Sequence, residues 1–209
     1  EVLGMPSHGL SGESFTQIGY VSENQELPEW MTVQGLMDFL RPFYPTWDEG
    51  NLLRDLDLPP DRKLKHLSRG MKMKAALASV LAFRPPLILM DEPFSGLDPL
   101  VRDELIEALL DNMNAEAEDA RPTILISSHD LAEVESFATH VGFLHQGRLL
   151  FAEPMETLSA RFREVTVTLS ADAPAPVLAN LPATWLLPEH AASVVRFVHA
   201  EANGDAFEE

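Results

Sequence analysis

The chain has 209 residues, no cysteine, and 33 acidic against 15 basic residues, a formal net charge of -18 at pH 7. The length and 45% hydrophobic content suit one well-packed domain with a small appendage. Without cysteine, disulfides, thiolate chemistry and cysteine-based zinc sites are excluded. The charge argues against nucleic acid as a partner and against loose adsorption to anionic lipid.

No apolar run approaches the length needed to span a bilayer. The sequence opens Glu-Val-Leu-Gly, with no Met and no charged-then-apolar leader, which reads as an internal start of a fragment or a processed chain. Val2-Leu3 before Gly4 is expected to end a strand, and Gly9, Gly12 and Ser14 to form a loop. Ile18-Gly19-Tyr20-Val21 reads as a short strand. Thr32 offers an N-cap oxygen to a helix with Val33, Leu36, Met37, Phe39 and Leu40 on its apolar side. Asp48 is expected to cap a helix carrying Leu52, Leu53 and Leu56, closed by Pro59-Pro60.

A further helix is expected from about Ser68 to Phe83, stopped by Arg84-Pro85-Pro86. Leu87-Ile88-Leu89-Met90 is a continuous apolar run, the pattern of a central parallel strand buried on both faces. Leu100 to Ala117 reads as a helix with Leu105, Ile106, Leu109 and Leu110 inward, and residues 116–121 as a loop. Thr123 to Ile126 is a second apolar strand ending at Ser127-Ser128-His129-Asp130, and Leu131 to Ala138 is expected to be helical. Gln146-Gly147 between two apolar runs signals a hairpin. After Arg163, Val165, Val167 and Leu169 alternate with Thr166, Thr168 and Ser170; a Pro/Ala stretch over 171–188 and a strand at Val194 to Val198 follow. Helix, strand, helix, strand, hairpin is an α/β order, with a β-rich end.

Four features carry chemistry. Asp91-Glu92-Pro93 places two carboxylates at a strand's carboxyl end, where open α/β sheets bind ligands. One carboxylate there can hold Mg²⁺ through its water shell and the other can polarise water; plain helix capping is the alternative. Ser95-Gly96-Leu97-Asp98 is by itself only a turn that caps a helix. His129 ends the next strand, where an imidazole can donate to a terminal phosphate or simply cap. Ser68 and Gly70 open a helix whose free amides suit an anion, or are ordinary capping.

Their order is more specific than any one of them, and here the sequence resembles the ATP-binding cassette (ABC) ATPase family over about residues 2–157. Leu67-Ser68-Arg69-Gly70-Met71 is similar to its signature motif, and Leu87 to Glu92 to its Walker B strand and catalytic glutamate. Ser95 to Asp98 resembles the D-loop, His129 the switch histidine, and Ile18 to Glu23 the approach to the Q-loop. The resemblance implies a P-loop NTPase-like α/β fold: a mostly parallel sheet core with a helical subdomain at about 30–84, truncated at its N-terminus. The ATPase domain would occupy residues 1–160 and a small β-rich appendage 161–209. It implies ATP and Mg²⁺ as cofactors. Asp91 would hold the metal with Glu23, through water; Glu92 would orient the hydrolytic water and His129 contact the γ-phosphate. Ser68 and Gly70 would bind the phosphate held by a second, head-to-tail subunit, with Asp98 at the dimer contact. These are electrostatic tasks of the kind phosphoryl transfer needs.

Three departures stand out. Glu23 takes the usual place of Gln, and Arg69 and Met71 the usual places of Gly and Gln. No Gly-x-x-x-x-Gly-Lys-Ser/Thr occurs, and the loop from Gly9 to Ser14 has no lysine. The lysine and amide nest that normally grip the β- and γ-phosphates are therefore not within residues 1–209, and these residues alone are expected to bind and hydrolyse ATP poorly.

The resemblance further implies a membrane permease as partner, with the protein peripheral on the cytoplasmic face of the membrane. Trp30, Phe39, Phe43, Tyr44 and Trp47 could form the groove for the permease or the core of the helical subdomain. The expectation is Phe39 buried and at least one of Trp30, Phe43 or Tyr44 exposed. The Glu23 and Ser68 to Met71 variants resemble bacterial cassettes paired with separately encoded export-type permeases. The alternatives are an ABC-type ATPase of translation or DNA repair, whose basic surfaces and long insertions this chain lacks, and a non-catalytic cassette that binds or regulates.

Overall fold

The computed structural model describes residues 1–115, 121–169, 184–191 and 193–200. They fall into two compact units, Glu1–Glu133 and Val134–Glu209. The loop expected at 116–121 and most of the Pro/Ala stretch at 171–188 lie outside the described residues.

The first unit opens with a turn rather than a strand end. Val2 and Met5 form an isolated bridge, because Leu3 and Gly4 take left-handed backbone conformations and reverse the chain. Ser11 and Ser14 build a capping box at α1 (Gly12–Phe15), a single helical turn where a loop was expected. β1 (Ile18–Ser22) follows. In α2 (Val33–Leu40) the Thr32 hydroxyl accepts the Gly35 N–H at 3.0 Å, the cap expected from the sequence. Asn51, not Asp48, precedes α3 (Leu52–Asp55); the Asp48 carboxylate instead pairs with Arg84 at 2.7 Å.

α4 (Arg69–Leu81) starts at the Ser68 cap and is buried along most of its length. Such a helix needs neighbours on more than one side, and it has them. Ala75, Ala78 and Ala82 belong to an apolar cluster with Val33, Leu36, Met37, Leu53, Leu56, Leu58 and Leu64. These residues are the core of the helical part. On another side α4 meets the sheet at β1. Lys74, buried on α4, is neutralised by Glu104 of α5 (Pro99–Ala115) at 2.7 Å, since an unpaired buried ammonium would be costly.

β1, β2 (Leu87–Asp91) and β3 (Thr123–Ser127) form a parallel sheet in that order. Ile88 and Met90 are buried, together with Val21. The expectation that the apolar run of β2 is covered on both faces is corrected: Leu87 and Leu89 are half-buried, and Leu125, beside Leu89, is 63% exposed. The period-two alternation of a strand sends these side chains to the face opposite α4. In α5, Leu105 and Leu109 point inward as expected, whereas Leu110 is exposed. Phe39 is also a correction. It is 52% exposed and packs on Phe43 at a ring separation of 5.6 Å. It lies roughly 100° round the helix from the stripe of Val33, Leu36 and Leu40. Trp30 and Phe43 are exposed as expected.

The segment Leu131 to Ala138 is not a regular helix: a 3₁₀ turn spans Leu131–Glu133 and plain turns follow. In the second unit β4 (His140–His145) pairs with β5 (Arg148–Pro154) across Gln146-Gly147, both at positive φ, as a tight hairpin turn requires. After α6 (Met155–Arg161) come β6 (Phe162–Thr168), β7 (Trp185–Ala191) and β8 (Val194–Ala200). They form an antiparallel sheet in the order β6-β8-β7, with Trp185 stacked on Phe197 at 3.7 Å. No helix among the described residues is long and apolar enough to cross a membrane.

Gly19 fixes how closely β1 can approach α4. A Cβ there would stand 2.3 Å from Val80 Cγ1 and 3.1 Å from Pro85 Cγ. Val80 is stiff and buried, so the helix must move. Gly19→Ala is expected to lower the unfolding free energy by about 1–3 kcal/mol, read from urea denaturation; an unchanged midpoint would contradict the packing.

Candidate functional site

The parallel register sets Ser22, Asp91 and Ser127 side by side at the carboxyl ends of β1, β2 and β3. The residues that follow, Glu23, Glu92 and His129, therefore emerge from one edge of the sheet. Glu23 and Glu92 are tied down by the backbone. Glu23 N–H donates to the Asp91 carbonyl at 3.1 Å. Glu92 N–H donates to both the carbonyl and the hydroxyl of Ser127, each at 3.1 Å. The Ser127 hydroxyl in turn donates to Asp91 Oδ1 at 2.6 Å, a short charge-assisted bond.

Glu92 has φ +49. A left-handed backbone costs a non-glycine residue about 1 kcal/mol or more, and such strain gathers at functional sites. From this position the Glu92 carboxylate comes within 2.8 Å of His129 Nδ1. His129 is 73% exposed. The hydrogen bond to the Glu92 carboxylate, and then its charge, raise the pKa of the imidazole above its ordinary value; Glu133 and Asp130 add to this, against slight desolvation. The imidazolium thus persists to higher pH than a free histidine. The contact is an ion pair below the raised pKa; above it a neutral imidazole faces the carboxylate.

Ser68 caps α4, its hydroxyl accepting the Met71 N–H at 3.2 Å. Gly70 is buried against α5, where a Cβ would stand 2.7 Å from Val101 Cγ1; small size is what this position requires. Arg69, between them, reaches back to the sheet edge. Its guanidinium pairs with the Glu23 carboxylate and donates to the Ser95 carbonyl at 2.8 Å. The Asp98 carboxylate accepts the Leu100 N–H at 2.9 Å and so caps α5.

Glu23, Asp91, Glu92 and His129 are thus joined at one edge, and Arg69 connects that edge to the helix start bearing Ser68 and Gly70. Asp98 stands apart as a helix cap. Sequence reasoning gave Ser127 no role and treated Arg69 only as a departure. Ser127 becomes visible as the register partner of Asp91, and Arg69 through its partners on two other segments. Among the described residues no group of three or more His, Cys, Asp or Glu side chains could hold a metal ion unaided. Hard carboxylate oxygens at Asp91 and Glu23 nonetheless suit Mg²⁺, which keeps waters and substrate phosphates and takes one or two carboxylates.

Comparison with known proteins agrees with this fold. A family model described as "AAA domain, putative AbiEii toxin, Type IV TA system" matches residues 51–135. The ABC transporter ATP-binding protein YtrB of Bacillus subtilis is 30% identical over 144 residues, covering 68% of this chain and 48% of YtrB. A solved structure described as an ATP-binding subunit of an ABC transporter superposes with a TM-score of 0.61 at 28% identity, over 70% of this chain and 62% of that one. A dimeric ATP-binding cassette in a post-hydrolysis state, bound to ADP and Pi, shares the fold at 22% identity with a TM-score of 0.58, over 73% and 68% of the two chains.

The fold is that of an ABC ATPase domain. The chain is a relative of the ABC transporter ATP-binding proteins, and it spans about half the length of YtrB.

Replacing Glu92 with Gln turns the charged acceptor that raises the His129 pKa into a neutral amide. The His129 titration, followed by NMR of the imidazole protons, is expected to move to lower pH in Glu92→Gln; an unmoved titration would contradict the contact.

Proposed function

We propose that the protein is the ATP-hydrolysing subunit of an ABC transporter, coupling ATP binding and hydrolysis to substrate movement through a membrane permease. The observation that carries this reading is the register-aligned edge, with Glu92 held 2.8 Å from His129 beside Asp91. Glu92 orients and polarises the attacking water as general base. His129 holds that carboxylate in place and offers its other ring nitrogen to the terminal phosphate. Asp91, fixed by Ser127, and Glu23 hold Mg²⁺ through its waters; when bound, the ion offsets phosphate charge. Little covalent chemistry is asked of the side chains, because phosphoryl transfer depends mainly on placement and charge.

Ser68 and Gly70 open α4 toward the phosphate of a second subunit in a head-to-tail dimer, and Asp98 lies at that contact. The dimeric state of one structural neighbour supports this reading. Trp30, Phe39 and Phe43, all exposed, offer aromatic anchors of the kind that carry interface energy and form the surface for the permease at the cytoplasmic face of the membrane. Residues 1–160 make up the ATPase part and 161–209 the appendage. Residues 1–209 contain no phosphate-loop pattern, so alone they lack the lysine and amide nest that a triphosphate needs.

In the full-length protein, Glu92→Gln is expected to lower ATP turnover by about 10²–10⁴-fold while ATP binding persists. Turnover within a few-fold of wild type would overturn the assignment. The 209-residue chain assayed alone is expected to show little Mg²⁺-dependent turnover, and robust turnover there would contradict the incomplete-site reading.

A further inference from the structure

We propose that Arg69 is a positioning residue: it neutralises Glu23 and clasps the start of α4 to the turn after Glu92, keeping this chain's own phosphate edge and the helix start it turns toward the second subunit in one arrangement. This rests on the ATPase reading above. Three observations carry it.

The first is connectivity. One guanidinium meets the carboxylate of Glu23, 46 positions away in sequence, and the carbonyl of Ser95, 26 positions away. These acceptors sit on separate segments, after β1 and after β2, and Arg69 itself is the first residue of α4. Both bonds leave one nitrogen, Nη2, whose two protons are held in the guanidinium plane and so point at fixed angles, unlike those of a freely rotating ammonium.

The second is fit. Gly96 has φ +62, and a Cβ placed on it would lie 3.3–3.5 Å from Nη1, Cζ and Nη2 of Arg69. The guanidinium rests against backbone that glycine leaves bare. The left-handed conformation and the close approach together explain the glycine.

The third is charge. Glu23, Asp91 and Glu92 lie along the edge where a triphosphate would add further negative charge. Paired with Arg69, Glu23 contributes the net charge that an uncharged amide would. The two departures from the family pattern, Glu for Gln at 23 and Arg for Gly at 69, are then one charge-balanced exchange rather than two independent ones. Because the pair is partly exposed, its effect is moderate.

The test is a double-mutant cycle in the full-length protein, with Arg69→Met, Glu23→Gln and both together. Arg69→Met is expected to raise KM for ATP at saturating Mg²⁺ by roughly three- to tenfold, with kcat changed by less than about twofold. In the Glu23→Gln background the same substitution is expected to change KM by less than about twofold. Equal factors in both backgrounds, or no change in the first, overturn the charge role. Amide hydrogen exchange of the nucleotide-free protein reads the clasp without turnover. Arg69→Met is expected to speed exchange at Ser95 and Leu97, whose amides bond to the Glu92 and Phe94 carbonyls, several-fold, and unchanged exchange overturns the clasp. Arg69→Lys separates the two roles, keeping KM near wild type while losing the protection of the turn. A wild-type protein without ATPase activity would sink the ATPase reading, while exchange would still decide the clasp.

Discussion

Everything at the candidate site depends on the parallel register of β1, β2 and β3. Because Ser22, Asp91 and Ser127 are partners across the sheet, the residues that follow them leave the same edge at the same height. A slip of one residue in β3 would reverse its inward and outward faces. It would also take the Ser127 hydroxyl away from Asp91 and His129 away from Glu92. Register is in turn held by the buried face, where Val21, Ile88 and Met90 pack on the α4 side, and by the close approach that Gly19 allows. Core packing and site geometry are therefore one constraint expressed at two places.

α4 is the second element that serves both purposes. Its body joins the apolar cluster of the helical part and also supports the sheet. Its first turn carries Ser68, Arg69 and Gly70, each in a different role: cap, clasp and close contact with α5. A residue pattern that resembles a single motif is thus divided among three physical tasks. The strained backbone of Glu92 is compatible with this rigid setting, because both of the Ser127 acceptors hold its N–H.

Much of this was legible along the chain. The apolar runs, the Thr32 and Ser68 caps, the Gln146-Gly147 hairpin and the carboxyl-end placement of Asp91, Glu92 and His129 all follow from local preferences with short reach. The failures share a cause. Asp48 looked like a cap, but a distant arginine takes its carboxylate. Phe39 looked like core, but the stripe that fills the core turns away from it. Leu87 and Leu89 looked fully buried, but their face of the sheet remains partly open. Each depended on what lies across space rather than along the backbone.

The amino-acid sequence alone determined the three strands of the parallel sheet, the helices α2, α4 and α5 and the hairpin, that acidic and histidine side chains end the central strands, that the charge is strongly negative, and that no phosphate-loop pattern occurs in these 209 residues. These are properties of composition and of short windows. Only the tertiary structure decided that Ser127 anchors Asp91, that Glu92 faces His129, and that Arg69 joins Glu23 to Ser95. Those contacts connect segments that sequence separates by dozens of residues, and they exist only once register and helix packing have brought the segments together.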